Sequence, residues 1–412
     1  MKKKRNLMLG LLLLFVMLAG SSVQAEEVQG SGPEELKIGV VVYDPDSSEM
    51  EMFMNYYRDY LEEGFAVKFY FSGKVSSAEE ENAFIESAKA AGVQGIISFY
   101  GGDLQSTLQV CEENELYYIM GSGNMTDEAF ASVKENPWFV GIIGPNPDSV
   151  YQTGRDMAEF FLEKGGKSFV IMTGAANVGY RNHVLRTQGM LDALEEKAGL
   201  VLEKTSEELA GVKENTKLTS EDGSISVILC PEATEGGNGL ENLAEAFAEG
   251  NCDTLMSAFH AATYLDKIAA QEEAQGSNIM VGAIDSFTED NFHAFMEKDG
   301  FGNPPIDYVN GKFASMAGPS FAMLYNAITG HPEANSTDGT AVRLYQDLWT
   351  ATSREEYIEL YGYTTGVYEN AYSCDELMQV IWVFNENTTP EDMKELTEAC
   401  TAEDVRNRIL NR

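Results

Sequence analysis

Short continuous apolar runs alternate along this chain with longer stretches whose apolar positions recur every three or four residues, the mark of strands followed by amphipathic helices. The first pair is the run KIGVVVY at 37–43 and a helix carrying Met52, Phe53, Tyr56, Tyr57 and Tyr60 on one core-facing stripe. Between them Asp44-Pro45-Asp46-Ser47-Ser48 is turn chemistry, with its last serines placed to cap the helix. The alternation predicts further strands over 65–71, 94–100, 116–121 and 139–144, with helices over 78–91 and 104–113. From Asp148 the pattern starts afresh, with a helix over 148–164, a strand over 167–173, a helix over 181–197, a strand over 225–230 and a helix over 240–249. A strand over 254–259, a helix from Ala261, a strand over 278–284 and a helix from Glu289 continue it. Such alternation builds parallel sheets with helices on both faces. Two successive sets, each the size of one doubly wound domain, predict two α/β lobes rather than one giant sheet. The polar stretches 206–215 and 335–340 read as surface loops.

The two ends follow other rules. Lys2, Lys3, Lys4 and Arg5 precede an apolar stretch over 7–19, and Val23-Gln24-Ala25 completes a signal-peptidase pattern, so 1–25 reads as a signal peptide. That stretch is shorter than the roughly 20 residues of a membrane-spanning helix. The expected product is exported, periplasmic or extracellular, and without a lipid anchor, because the first cysteine is Cys111. Past Gly330 a C-terminal extension, 342–412, holds a strand-like run over 342–349, a tyrosine-rich stretch over 357–372, a second strand-like run over 380–384 and an acidic helix from Pro390. Its many apolar residues predict that it packs on the lobes, either as a strap or as a rim of the binding site.

Composition narrows the function. Hydrophobic residues make up 44% of the 412, enough for real cores, and a net charge of −38 repels nucleic acid and anionic lipid. Four histidines and no G-x-S-x-G, H-E-x-x-H or Walker sequence leave little material for hydrolytic or His-rich metal sites. Gly121-Ser122-Gly123 and Gly236-Gly237-Asn238-Gly239 do not complete a dinucleotide fingerprint, so no cofactor is expected. Cys111, Cys230, Cys252, Cys374 and Cys400 form no C-x-x-C pair. Cys230 and Cys252 fall near opposite sheet edges, beyond the ~7 Å Cα reach of a disulfide; a Cys374–Cys400 bridge stays open.

Several segments in order resemble the type I periplasmic sugar-binding proteins. They are the first strand and helix, AKAAGVQGIIS at 88–98, GPNPDSVYQTGRDMA at 144–158, Arg186-Thr187-Gln188-Gly189-Met190, MVGAID at 280–285, and 306–330. The resemblance implies a periplasmic-binding-protein-like fold of two lobes joined by three crossings, near 143–147, 283–286 and 308–312. It places 37–144 with 286–308 in an N-terminal lobe and 145–285 with 309–341 in a C-terminal lobe. It also implies a monomer that binds a small polar solute between the lobes for an ABC importer or, alternatively, presents it to a membrane sensor. A sugar is favoured, with a nucleoside or another cyclic polar solute as the alternative.

In open parallel sheets ligands bind beyond the carboxyl ends of the strands, so the loops there supply the candidates. They are Tyr43, Asp44, Asp46, Tyr100, Asp103, Ser122 and Asn124 from the first lobe, and Asn177, Tyr180, Arg181, Phe259 and His260 from the second. Asp285, Ser286 and Asn310 join them from the crossings. Aromatic faces cover the apolar side of a ring, while Asp, Asn and Arg bond directionally to hydroxyls. Asp44 and Asp46 also suit an Asx turn and helix cap, Tyr43, Tyr100 and Phe259 also suit the core, and His260 also suits an ordinary loop. Arg186 is assigned to the scaffold. The best-known sugar binders carry an Asn with aromatic neighbours in the first loop, where this chain has Asp46-Ser47-Ser48-Glu49-Met50.

Overall fold

The computed structural model describes residues 35–174, 181–232, 239–364 and 370–412, and its strands, numbered in chain order, form two sheets. The first holds β1 (Leu36–Val42), β2 (Val67–Lys74), β3 (Gly95–Ser98), β4 (Tyr117–Met120), β5 (Phe139–Pro145) and a late strand, β12 (Val342–Gln346). The second holds β6 (Ser168–Met172), β7 (Thr216–Thr219), β8 (Ser226–Cys230), β9 (Thr254–Ser257), β10 (Met280–Ser286), β11 (Tyr308–Lys312) and β13 (Trp349–Ala351). Their orders are β12-β5-β4-β3-β1-β2 and β13-β11-β10-β9-β6-β8-β7. Numbering the core strands within each lobe, both read 2-1-3-4-5, the doubly wound order whose switch point lies between strands 1 and 3. All pairs are parallel except the outermost two of the second sheet, β7 on β8 and β13 on β11.

Helices cover both faces, which is why the strands are continuously apolar. Ile38, Val40 and Val42 of β1 join a core with Phe53, Tyr57 and Phe321, while Val41 joins Ile85, Leu108 and Tyr118 on the other face. The helix Gly318–Ile328 packs on β3, β4 and β5 and is buried from Gly318 to Ala327. Burying side chains such as Phe321 and Leu324 stabilises by roughly 1.5–3 kcal/mol each.

The crossings differ from expectation. The first holds, since β5 leads into the helix Pro147–Glu163, which packs on β9 and β10. The second does not fall at 283–286: β10 and β11 pair in the same sheet, with Asp285 opposite Gly311 and Ser286 opposite Lys312. Segment 286–308 therefore belongs with the second sheet, and the chain returns to the first only after Lys312, through the helix Gly318–Ile328. The memberships expected for 286–308 and for most of 309–341 are thus reversed. The run 342–349 is two strands, β12 on β5 and β13 on β11, with a crossing between them.

The extension accordingly completes both sheets at their edges. Trp349 stacks on Phe313 with ring centroids 3.7 Å apart, and its Nε1 donates to Cys400 O at 2.8 Å. Tyr357 is buried and donates to Thr288 O at 3.0 Å. The run 380–384 is not a strand: it follows the helix Cys374–Val380, which opens on a Ser373/Glu376 capping box, and Phe384 is 48% exposed. Within the expected loop 206–215 lies a short helix, Ser206–Ala210, with its own Thr205/Glu208 capping box. All five cysteines are free thiols, so the Cys374–Cys400 bridge is not formed. The expected signal peptide lies outside the described residues.

Candidate functional site

The switch points lie at β1/β3 and β6/β9, and the loops beyond them carry most of the candidates. Their fates differ. Asp44 Oδ1 accepts from Asp46 N–H at 3.2 Å, and Oδ2 pairs with Lys74 at 2.8 Å. Lys74 holds the Asp44 carboxyl below its ordinary range despite some burial. Asp46 is exposed, so this pair builds an Asx turn that Ser47 continues as the cap of the helix Ser48–Asn55. Asp103 is likewise an exposed cap, accepting from Ser106 N–H at 3.2 Å. Tyr100, whose N–H donates to Ser98 Oγ at 3.1 Å, and Ser122 are half-buried. Arg181 is exposed and stands 3.7 Å from Glu207, with no contact to the other candidates among the described residues. Asn177 and Tyr180 lie outside the described residues.

Of the remaining candidates, Tyr43, Phe259, His260, Asp285 and Ser286 come together, while Asn124 and Asn310 bond other residues. Asn124 Nδ2 donates to Pro145 O at 2.9 Å and to Asn182 Oδ1 at 3.3 Å, linking a first-lobe loop to the first crossing and to the second lobe. Phe259 is buried against the rings of His183, His260 and Tyr264. Asp285 accepts from Asn291 Nδ2 at 2.7 Å, and burial pushes its carboxyl up to about 6 although Asn291 favours the charged form. Asn310, 2% exposed, donates to Thr350 Oγ1 at 2.8 Å, and its Oδ1 has no partner among the described residues.

Four residues complete this edge that the sequence did not disclose as site residues. Arg186 is buried, and its Nη1 donates to Ala258 O at 2.8 Å and Ile284 O at 3.2 Å, tying together the ends of β9 and β10. Burial lowers the guanidinium to about 10, with Glu49 and Asp285 acting in the other direction. Its Nε has no partner among the described residues, so the scaffold role is joined by an unsatisfied donor at the strand ends. Arg186 is set in place by a close helix crossing: a Cβ on Gly154 would stand 2.0 Å from Arg186 O, and one on Gly189 2.1 Å from Tyr151 O. His183 is driven well below the ordinary imidazole range by burial and by the cations of Arg186 and Lys312, so it is neutral.

Glu49 and Lys312 join the lobes. Glu49 Oε1 accepts from Lys312 Nζ at 2.8 Å and from Tyr43 Oη at 3.0 Å, while Oε2 accepts from Ser286 Oγ at 2.5 Å. Burial opposes the charge on Glu49, yet Lys312, Ser286 and Tyr43 together hold its carboxyl below the ordinary range. No signal marked Glu49, because glutamate is common in any first helical turn.

A groove of about 1060 Å³ lies on a neighbouring stripe of the same helix, lined by Ser48, Glu51, Met52, Asp59, Thr288 and Asp375 among others. None of the loop candidates lines it. The switch-point topology favours the strand edges over the groove as the candidate site.

No family model matches the sequence, and no curated protein matches it. Solved structures match its fold. An ABC transporter solute-binding protein from Bacillus halodurans C-125 with bound myo-inositol aligns over 81% of this chain and 99% of its own, with TM-score 0.55 and 16% identity. A periplasmic solute-binding protein from Actinobacillus succinogenes with bound D-allose aligns over 79% and 99%, with TM-score 0.54 and 13% identity. The transcription regulator CcpA of Lactococcus lactis aligns over 78% and 99%, with TM-score 0.52 and 12% identity. The chain thus has the periplasmic-binding-protein-like type I fold, which serves both solute carriers and a regulator.

Proposed function

We propose that this chain is an extracytoplasmic solute-binding protein that captures a small, polar, sugar-like molecule between its lobes and delivers it to an ABC importer. The observation that carries the reading is the contact of the two switch-point edges through Tyr43, Glu49, Ser286 and Lys312, with buried polar atoms on the second edge that have no partner among the described residues. Arg186 Nε and Asn310 Oδ1 are buried hydrogen-bonding atoms that a hydroxylated ligand would satisfy. Tyr43, Phe259 and His260 supply ring faces for the apolar side of a cyclic solute. The basic and apolar start of the sequence supports export, and no helix among the described residues is long and apolar enough to cross a membrane. The solute carriers of the same fold hold myo-inositol and D-allose.

A thermal-shift screen of neutral sugars, polyols, nucleosides and amino acids, without metal or nucleotide, tests this directly. A ligand at 100 times its dissociation constant adds about 2.7 kcal/mol, a clear shift. At least one cyclic polyhydroxylated compound is expected to stabilise the protein, and Asp285→Ala is expected to abolish that shift. No shift from any class, or a shift unchanged in Asp285→Ala, would overturn the assignment.

A further inference from the structure

Glu49 belongs to the first lobe by position, yet two of its three partners, Ser286 and Lys312, end strands of the second sheet. The Glu49 and Lys312 side chains are only 15% and 17% exposed, so their attraction is little screened and separating them leaves a poorly solvated charge. The amino end of the helix Ser48–Asn55 further favours the carboxylate. The charged groups that influence one another here are Glu49 and Asp285 against Lys312 and Arg186, with the imidazoles of His183 and His260 beside them. Formal charges balance two against two. Arg186 already bonds two carbonyls, and Lys312 is engaged by Glu49.

We infer that Glu49 sets the charge selectivity of the cleft: by engaging Lys312, Ser286 and Tyr43 it cancels the cation that would draw in a carboxylate or phosphate, and so favours neutral polyhydroxylated solutes over acidic ones. This rests on the sugar-like reading above and narrows it. An acidic sugar entering the cleft meets the Glu49 and Asp285 carboxylates with Lys312 already engaged and only the buried Arg186 Nε left to donate, whereas a neutral one needs only hydrogen bonds. Selectivity by a repulsive group is a recurrent device, because a site discriminates by the difference between two affinities. The same arrangement lets Glu49 hold the two lobes against each other.

Calorimetric titration of matched pairs tests the inference: D-glucose with D-glucuronate, D-galactose with D-galacturonate, and myo-inositol with an inositol monophosphate. Wild type is expected to prefer the neutral member of any pair it binds by about tenfold or more. Glu49→Gln frees Lys312 and is expected to move that ratio at least about tenfold toward the acid, and adding Lys312→Met is expected to cancel the gain. A purely structural role for Glu49 would weaken both members alike and leave the ratio unmoved. Where Glu49→Gln does not fold, Lys312→Gln carries the test, since it leaves Glu49 bare and is expected to widen the neutral preference. Equal binding of both members by wild type, or a ratio unmoved in these variants, overturns the inference while leaving sugar binding intact. Binding of no member of any pair overturns the sugar reading itself and the inference with it.

Discussion

The two sheets share one strand order but finish their carboxyl edges differently. At the first-lobe edge the loop carboxylates are spent locally and in water: Asp44 on Asp46 N–H and Lys74, Asp103 on Ser106 N–H. At the second-lobe edge the polar groups are buried or half-buried and link separate elements: Arg186 joins the ends of β9 and β10, Asp285 holds Asn291, and Asn310 holds Thr350. The difference teaches that acids in a first βα turn serve the turn, and that this lobe reaches the cleft through Tyr43 and through Glu49, inside the first helical turn. The second lobe does so with groups whose removal touches the core.

The largest expected effect follows from that contrast. Arg186→Ala leaves the carbonyls of Ala258 and Ile284 without their shared donor, and a stability loss of about 3 kcal/mol is expected in urea unfolding. A loss below about 1 kcal/mol would make the two edges alike and break the comparison.

Titration sharpens it next. Burial raises the carboxyls of Asp285 and Asp307 to about 6 each, so both add stability that is complete below the ordinary aspartate range and is lost as pH rises through 6. Melting temperature should therefore rise by a few degrees from pH 7.5 to 5. Glu49 has the opposite sign: its contribution is present above the ordinary glutamate range and is lost as pH falls through its lowered value, which turns the trend over in acid. Asp285→Asn combined with Asp307→Asn should flatten the rise; a slope unchanged in that double variant would put its source elsewhere.

Smaller effects are expected at the first edge. Asp103→Ala removes one helix cap and should cost about 1 kcal/mol without altering ligand affinity. Arg181→Ala, which the sequence marked as a ligand contact, should change stability by less than about 0.5 kcal/mol and leave affinity as it was, because its ion pair with Glu207 is exposed and long. A tenfold affinity loss in Arg181→Ala would return it to the cleft.

The parallel strands were legible because burial on both faces writes them as unbroken apolar runs, as at β1, expected over 37–43 and found at Leu36–Val42. The lobe memberships were not. Nothing in the runs at β10 and β11 states that these strands pair with each other, and Gln346-Asp347-Leu348 carries no glycine or proline to mark the crossing between β12 and β13. The run 380–384 looked like a strand because its residues are β-branched and aromatic, whereas the Ser373/Glu376 capping box, a readable signal, starts a helix just before it. Asp285 and Asn310 were expected at the site by the rule that ligands sit beyond strand ends, and the structure places them within the last residues of β10 and in the middle of β11. Glu49 and Lys312 were not, since their meaning lies in a contact between residues 263 positions apart.

Hydrogen exchange with and without the sugar that most stabilises the protein tests the central claim most directly. Slowed exchange is expected together at Tyr43, Met50 and Tyr100 on the first edge and at Phe259, His260, Asp285 and Phe287 on the second. Protection confined to one lobe, or centred instead on Met52, Asp59 and Asp375 around the acidic groove, would contradict a ligand held between the two strand edges.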